Sequence, residues 1–175
     1  MLEFYYDFLL KFVDRSDFAL GQMDTDSMYI ATSAENLDDV IKPEMRDQYE
    51  KERHLWFPRT DTPEHADFDK RTPGLFKLEF SGVGLVALCS KTYYCFSEIN
   101  EKYSCKGVSR RHTDINKRKY LDVLTTKKPS TGINKGFRVV GNDTRTYIQE
   151  KEAFTYCYMK RKVLDDGVST TYLNL

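Results

Sequence analysis

Asp24-Thr25-Asp26-Ser27 places two carboxylates two residues apart, between the apolar runs Phe18–Met23 and Met28–Thr32. Like charges held that close are costly unless a cation lies between them. Hard oxygen ligands of this kind suit Mg²⁺ or Mn²⁺. Two such ions about 3.5–4 Å apart can clamp the attacking and leaving oxygens of an in-line phosphoryl displacement. The same four residues also suit an ordinary turn, in which Asp and Thr bond to backbone amides. A second group is Lys91-Thr92-Tyr93. On a strand, Lys91 and Tyr93 share a face. Together they could hold a phosphate and pack on a sugar, or be a snorkelling Lys beside a core-edge Tyr. Arg110-Arg111 and Lys117-Arg118-Lys119 could form a phosphate-binding stripe or a solvated helix face.

The elements that would carry these groups follow from periodicity. Leu2, Tyr5, Leu9 and Phe12 form the apolar stripe of a first helix. That helix begins at Met1 with no capping residue ahead of it, which fits a chain starting inside a larger fold. Residues 18–32 read as a β-hairpin turning at Asp24–Ser27. Residues 34–54 read as helical, with a restart after Pro43, and 56–74 as a loop-rich stretch with Trp56 as a packing anchor. Leu75–Phe80 and Gly84–Phe96 read as a hairpin about Ser81–Gly84. Residues 112–125 can form a helix, with Lys117, Arg118 and Lys119 exposed. Short strands are expected at 136–140, 144–149 and 153–159, with turns at Gly141-Asn142-Asp143 and Asp165-Asp166-Gly167. The class is α+β, with a boundary near 97–103 and no internal repeat.

Net charge is zero across 175 residues, but its distribution is uneven. Residues 1–101 carry 11 Lys and Arg against 20 Asp and Glu, a net −9. Residues 102–162 carry 16 basic against 5 acidic, a net +11. An acidic part followed by a basic part suits a protein that chelates cations in one place and holds a polyanion in another. Chance clustering on solvated faces would give the same count. No apolar run approaches the roughly 20 residues that span a bilayer. The start has no basic leader of a signal peptide. Cys89, Cys95, Cys105 and Cys157 lack zinc-site spacing and read as reduced thiols of an intracellular protein. His54, His65 and His112 are scattered, and Glu35, Asp38 and Asp39 mark a helix start rather than a metal site.

Asp24-Thr25-Asp26-Ser27 resembles motif C of family B DNA polymerases, and Lys91-Thr92-Tyr93 resembles the family's Lys-x-Tyr motif, which contacts the primer terminus. Between them, Asp69–Glu79 looks like the Gly-containing segment that leads into that motif in the protein-primed branch. The order of the three segments is similar to the polymerases of self-synthesising DNA transposons and their viral and linear-plasmid relatives. The likeness runs through Lys160–Leu164 and Asp166-Gly167. It implies the second half of a polymerase palm, a short antiparallel sheet backed by helices, over 1–98, and a small mixed α/β thumb over 99–175. It implies that Asp26 is the direct metal ligand, with Asp24 its catalytic neighbour. Lys91 and Tyr93 would stabilise the primer end, and the basic run from Lys102 to Lys119 would fall in or beside the thumb. The implied cofactor is Mg²⁺ or Mn²⁺, and the implied partners are primer-template DNA, dNTP and a terminal priming protein. The implied location is intracellular, nuclear in a eukaryote.

Gln22 stands where the family often has Tyr. The sequence contains neither the Asp-x-x-Ser-Leu-Tyr-Pro segment of motif A nor the Lys-x-x-x-Asn-Ser-x-Tyr-Gly helix of motif B. The expectation is therefore a polymerase fragment that is inactive alone. Two rivals remain at this stage: a non-enzymatic DNA-binding remnant that uses only the basic half, and an α+β module whose Asp-Thr-Asp-Ser turn binds a structural cation or nothing.

Overall fold

The computed structural model describes residues 1–156, 161–167 and 169–172. It is a mixed α+β chain that divides into two compact units, Met1–Ser81 and Gly82–Leu175. The sequence placed a boundary near 97–103. Instead, strands β4 (Thr92–Phe96) and β5 (Glu101–Ser104) pair across that stretch, Cys95 with Lys102 and Phe96 with Glu101.

In the first unit a π-helical segment, Phe4–Leu9, runs into the short helix α1, Leu10–Phe12. Phe4, Phe8, Leu9 and Phe12 are its buried face, while Leu2 is 64% exposed. The expected stripe through Leu2 and Tyr5 therefore gives way to one led by Phe4 and Phe8. Aromatic residues four apart meet on one helix face, and their rings stack with centroids 4.8 Å apart. Phe8 also meets Phe12, Tyr49, Trp56 and Phe57. Trp56 is thus the packing anchor the sequence indicated.

Strands β1 (Phe18–Met23) and β2 (Met28–Thr32) form the expected antiparallel hairpin. Phe18, Met28 and Ile30 seat it on the aromatic core. Helix α2 (Arg46–Trp56) follows the turn at Pro43–Met45, where proline's fixed φ suits a helix start. The stretch read as loop-rich contains a further helix, α3 (Pro63–Asp69). Thr62 caps it by accepting from the His65 N–H, and Pro63 occupies its first turn. Its last residue, Asp69, is buried and accepts from the Arg59 backbone N–H and from two guanidinium nitrogens at 2.8–2.9 Å.

Leu75–Phe80 is not a strand. Gly84–Phe96 instead folds on itself as β3 (Gly84–Cys89) and β4, joined at Ser90-Lys91. With β5 these make a three-stranded antiparallel sheet. Helix α4 (Lys117–Thr126) starts five residues later than expected, where the Asn116 side chain accepts from the Lys119 N–H. Tyr120 and Val123 of α4 join Val86, Leu88, Tyr94, Ala153 and Phe154 in the second core.

The short strands expected at 136–140 and 144–149 are parts of one long hairpin, β6 (Ser130–Val140) and β7 (Asp143–Phe154). It turns at Gly141, whose φ of +63° falls in the left-handed region that glycine enters without penalty. The expected strand 153–159 runs partly outside the described residues, which exclude Cys157 and Lys160. A small pair, β8 (Arg161–Val163) and β9 (Thr170–Tyr172), includes the expected turn at Asp165-Asp166-Gly167 between its strands. Among the described residues, no helix is long and apolar enough to cross a membrane. Cys89, Cys95 and Cys105 are free thiols.

Candidate functional site

The β1–β2 ladder closes at Met23–Met28, and Asp24 N–H then donates to the Ser27 carbonyl at 2.8 Å. Thr25 and Asp26 therefore form the tip. Met28 and Ile30 face the core, so alternation puts Tyr29 on the opposite face, with Gln22 across the ladder from it. A register shift between Leu20 and Gln22 makes a bulge at Gly21, which sharpens local twist close to the tip. Asp24 is half-buried and Asp26 exposed. Asp24 Oδ1 accepts from the Thr25 N–H at 2.8 Å and from Thr25 Oγ1 at 3.3 Å. The turn thus has its own hydrogen bonds, and Asp26 carries its charge outward at the tip. No group of three or more His, Cys, Asp or Glu side chains gathers at one point among the described residues. The carboxylates at this turn are those of Asp24 and Asp26, beside the Thr25 and Ser27 hydroxyls.

Lys91 does not lie on a strand. It is an exposed turn residue with φ of +61°, and its carbonyl accepts from Ser104 Oγ at 3.0 Å. Tyr93 is half-buried in mid-strand, paired with Ala87 and Ser104. The shared-face reading of Lys91 and Tyr93 therefore fails, because strand alternation does not extend into a left-handed turn. Asp24/Asp26 and Lys91/Tyr93 also belong to separate sheets in separate units. Where the resemblance implied one short antiparallel sheet over 1–98, these residues contribute to two sheets, β1–β2 and β3–β4–β5.

The basic groups are also not one stripe. The Arg110 guanidinium lies 5.1 Å from the Tyr103 ring centre and donates to the Tyr103 carbonyl. Lys117 Nζ stands 3.3 Å from the Phe96 ring centre. Lys119 Nζ lies over Phe154 and donates to the Thr131 carbonyl at 3.0 Å. Arg118 is 91% exposed beside Asp122, and Arg111 is exposed in a turn. Successive helical residues are rotated about 100° apart, so Lys117, Arg118 and Lys119 point to different neighbours. Lys117 and Lys119 thus set their ammonium groups over aromatic rings, where the ring quadrupole attracts a cation.

Burial, and then the hydrogen bond to Glu101, pushes the Tyr94 hydroxyl up to about 12. Burial raises Cys105 to about 11.

The long β6–β7 hairpin carries groups the sequence reading passed over. Register puts Ile133, Lys135, Phe137 and Val139 on one face, with Ile148, Thr146 and Thr144 opposite the last three. The other face carries Gly136 opposite Tyr147 and Arg138 opposite Arg145. Phe137, Val139 and Ile148 are 64–75% exposed. Alternation over 131–139 was the available signal, but it becomes legible only once the partner strand fixes which residues stand across. No known protein family, curated protein or solved structure matches the chain.

Proposed function

We propose that the chain supplies the motif C hairpin and the Lys-x-Tyr segment of a DNA-directed DNA polymerase of the protein-primed family B. The observation that carries this reading is an Asp-Thr-Asp-Ser turn at the tip of an antiparallel hairpin, with Asp26 outward. Asp26 would ligate Mg²⁺ or Mn²⁺, with Asp24 beside it. Mg²⁺ is often held by one or two carboxylates together with substrate phosphates, and this donor set fits that pattern. The ions would lower the cost of charge on the attacking and leaving oxygens during nucleotide addition from dNTP. By their resemblance to the Lys-x-Tyr motif, and not by a shared strand face, Lys91 and Tyr93 would contact the primer end, and primer-template DNA would be the partner. A terminal priming protein is a further proposed partner, and the proposed location is intracellular.

This reading would be completed by motifs A and B, neither of which is in this sequence. The chain alone is therefore expected to leave a primer unextended. The test uses paramagnetic Mn²⁺ and amide NMR spectra. Broadening should centre on residues 23–28 and vanish in Asp26→Asn. Broadening that ignores the hairpin, or persists unchanged in Asp26→Asn, would overturn the metal assignment.

A further inference from the structure

The β6–β7 ribbon has two unlike faces, and its polar face holds a specific arrangement. A Cβ at Gly136 would stand 3.0 Å from the Tyr147 hydroxyl oxygen and 3.1 Å from two carbons of its ring. The ring therefore lies against the Gly136 backbone, in space that a larger residue would fill, and Tyr147 remains half-exposed. One row toward the tip, Arg138 and Arg145 stand directly opposite each other, both exposed. Like charges directly across a ladder destabilise it, unless an anion lies between them. Arg145 pairs with Asp143 at 3.4 Å with both side chains well exposed, which is a weak pair. One row toward the base, Gln149 is exposed.

A stacked-down aromatic ring, two guanidiniums beside it and an amide on the other side match the chemistry of a nucleotide unit. The ring offers a surface for a base, and the guanidiniums pair with phosphate oxygens. Duplex DNA keeps its bases stacked on one another, so a ring of this kind is used by a strand whose bases are open. By register this face carries Arg138, Arg145 and Lys151 against Asp143, a positive balance that favours an anionic ligand.

We propose that this face of the β6–β7 ribbon binds single-stranded nucleic acid, with a base on Tyr147 and phosphates on Arg138 and Arg145. The site is built entirely within the second unit. It stands whether or not the chain takes part in polymerisation.

The experiment is fluorescence anisotropy of a labelled oligothymidylate and of a labelled duplex of equal length, with the full chain, across a salt series. The single strand should bind more tightly than the duplex. Tyr147→Leu should weaken it about tenfold or more, while Tyr147→Phe keeps the ring and the affinity. Arg138→Gln with Arg145→Gln should reduce the logarithmic salt slope by about 1.4, as two single-strand phosphate contacts require. Arg118→Gln should leave the slope as it is, and a metal chelator should leave binding unchanged, which separates this site from the proposed metal turn. Amide exchange across the β6–β7 ladder identifies variants whose hairpin is intact. Tighter binding of the duplex, or unchanged affinity in an intact Tyr147→Leu variant, would overturn the proposal.

Discussion

Replacing Phe8 with alanine tests whether one aromatic cluster carries the first unit and, through it, the Asp24–Asp26 hairpin. Phe8 is fully buried, and its ring centre lies 4.8 Å from Phe4, 5.2 Å from Phe57, 5.3 Å from Phe12, 5.6 Å from Trp56 and 6.1 Å from Tyr49. Phe→Ala in a packed core costs about 3–5 kcal/mol. Five ring neighbours put this site toward the upper end, because each ring loses a packed surface and the helix cannot collapse into the gap. A unit of 81 residues has a stability of about 4–12 kcal/mol. The substitution therefore removes about a quarter of that stability at the least and all of it at the most. Trp56 is the single tryptophan and sits in this cluster, so its fluorescence reports on the first unit. In a urea titration the midpoint should fall by about 2 M, taking roughly 2 kcal/mol per molar for the slope. Phe8→Leu, which keeps most of the volume, should lose less than about 1.5 kcal/mol. Phe18, Met28 and Ile30 seat the hairpin on the same core, so amide exchange in β1 and β2 should accelerate along with the loss. A midpoint shift below about 0.5 M for Phe8→Ala would show that the cluster does not hold the unit together.

Three further outcomes follow from named contacts. Hydrogen bonds from the Arg59 guanidinium and backbone hold the Asp69 carboxyl well below the usual carboxylate range. A depressed carboxylate stabilises the fold above its unfolded value near about 3.9, and that contribution fades as pH falls toward the folded value. Asp69→Asn should flatten the acid limb of the Trp56 unfolding midpoint below pH ~4, and an unchanged limb would refute the pairing's role. Lys91 holds a left-handed φ of +61°, which costs a non-glycine residue about 1–2 kcal/mol. Part of that is offset by glycine's greater unfolded freedom, so Lys91→Gly should raise the thermal midpoint of the second unit modestly, and a fall would contradict this account of the turn. In a polymerase that contains this segment with motifs A and B, Asp26→Asn should abolish primer extension; near-normal extension would rule out the motif C assignment.

The β1–β2 hairpin was legible in the sequence because two apolar runs flank four polar turn residues, and local chemistry of that kind needs no distant partner. The same holds for the turn at Gly141, where only glycine enters the required φ freely. Helix α3 was also signalled locally by Thr62-Pro63, a cap followed by a proline, although the surrounding prolines argued for a loop. Lys91 was misplaced because a turn at Ser90-Lys91 inverts the chain, and alternation cannot be counted through a left-handed residue. The second-unit lysines looked like one basic stripe because charge along a sequence carries no direction. Tertiary packing decided that Lys117 lies over Phe96 and Lys119 over Phe154. The platform of Tyr147 on Gly136, with Arg138 facing Arg145, exists only through strand register. Register is set by the whole ladder and by the core at its base, where Ala153 and Phe154 are buried. Residue type and spacing thus determined where carboxylates and charges occur along this chain, whereas pairing between strands decided which of them stand together.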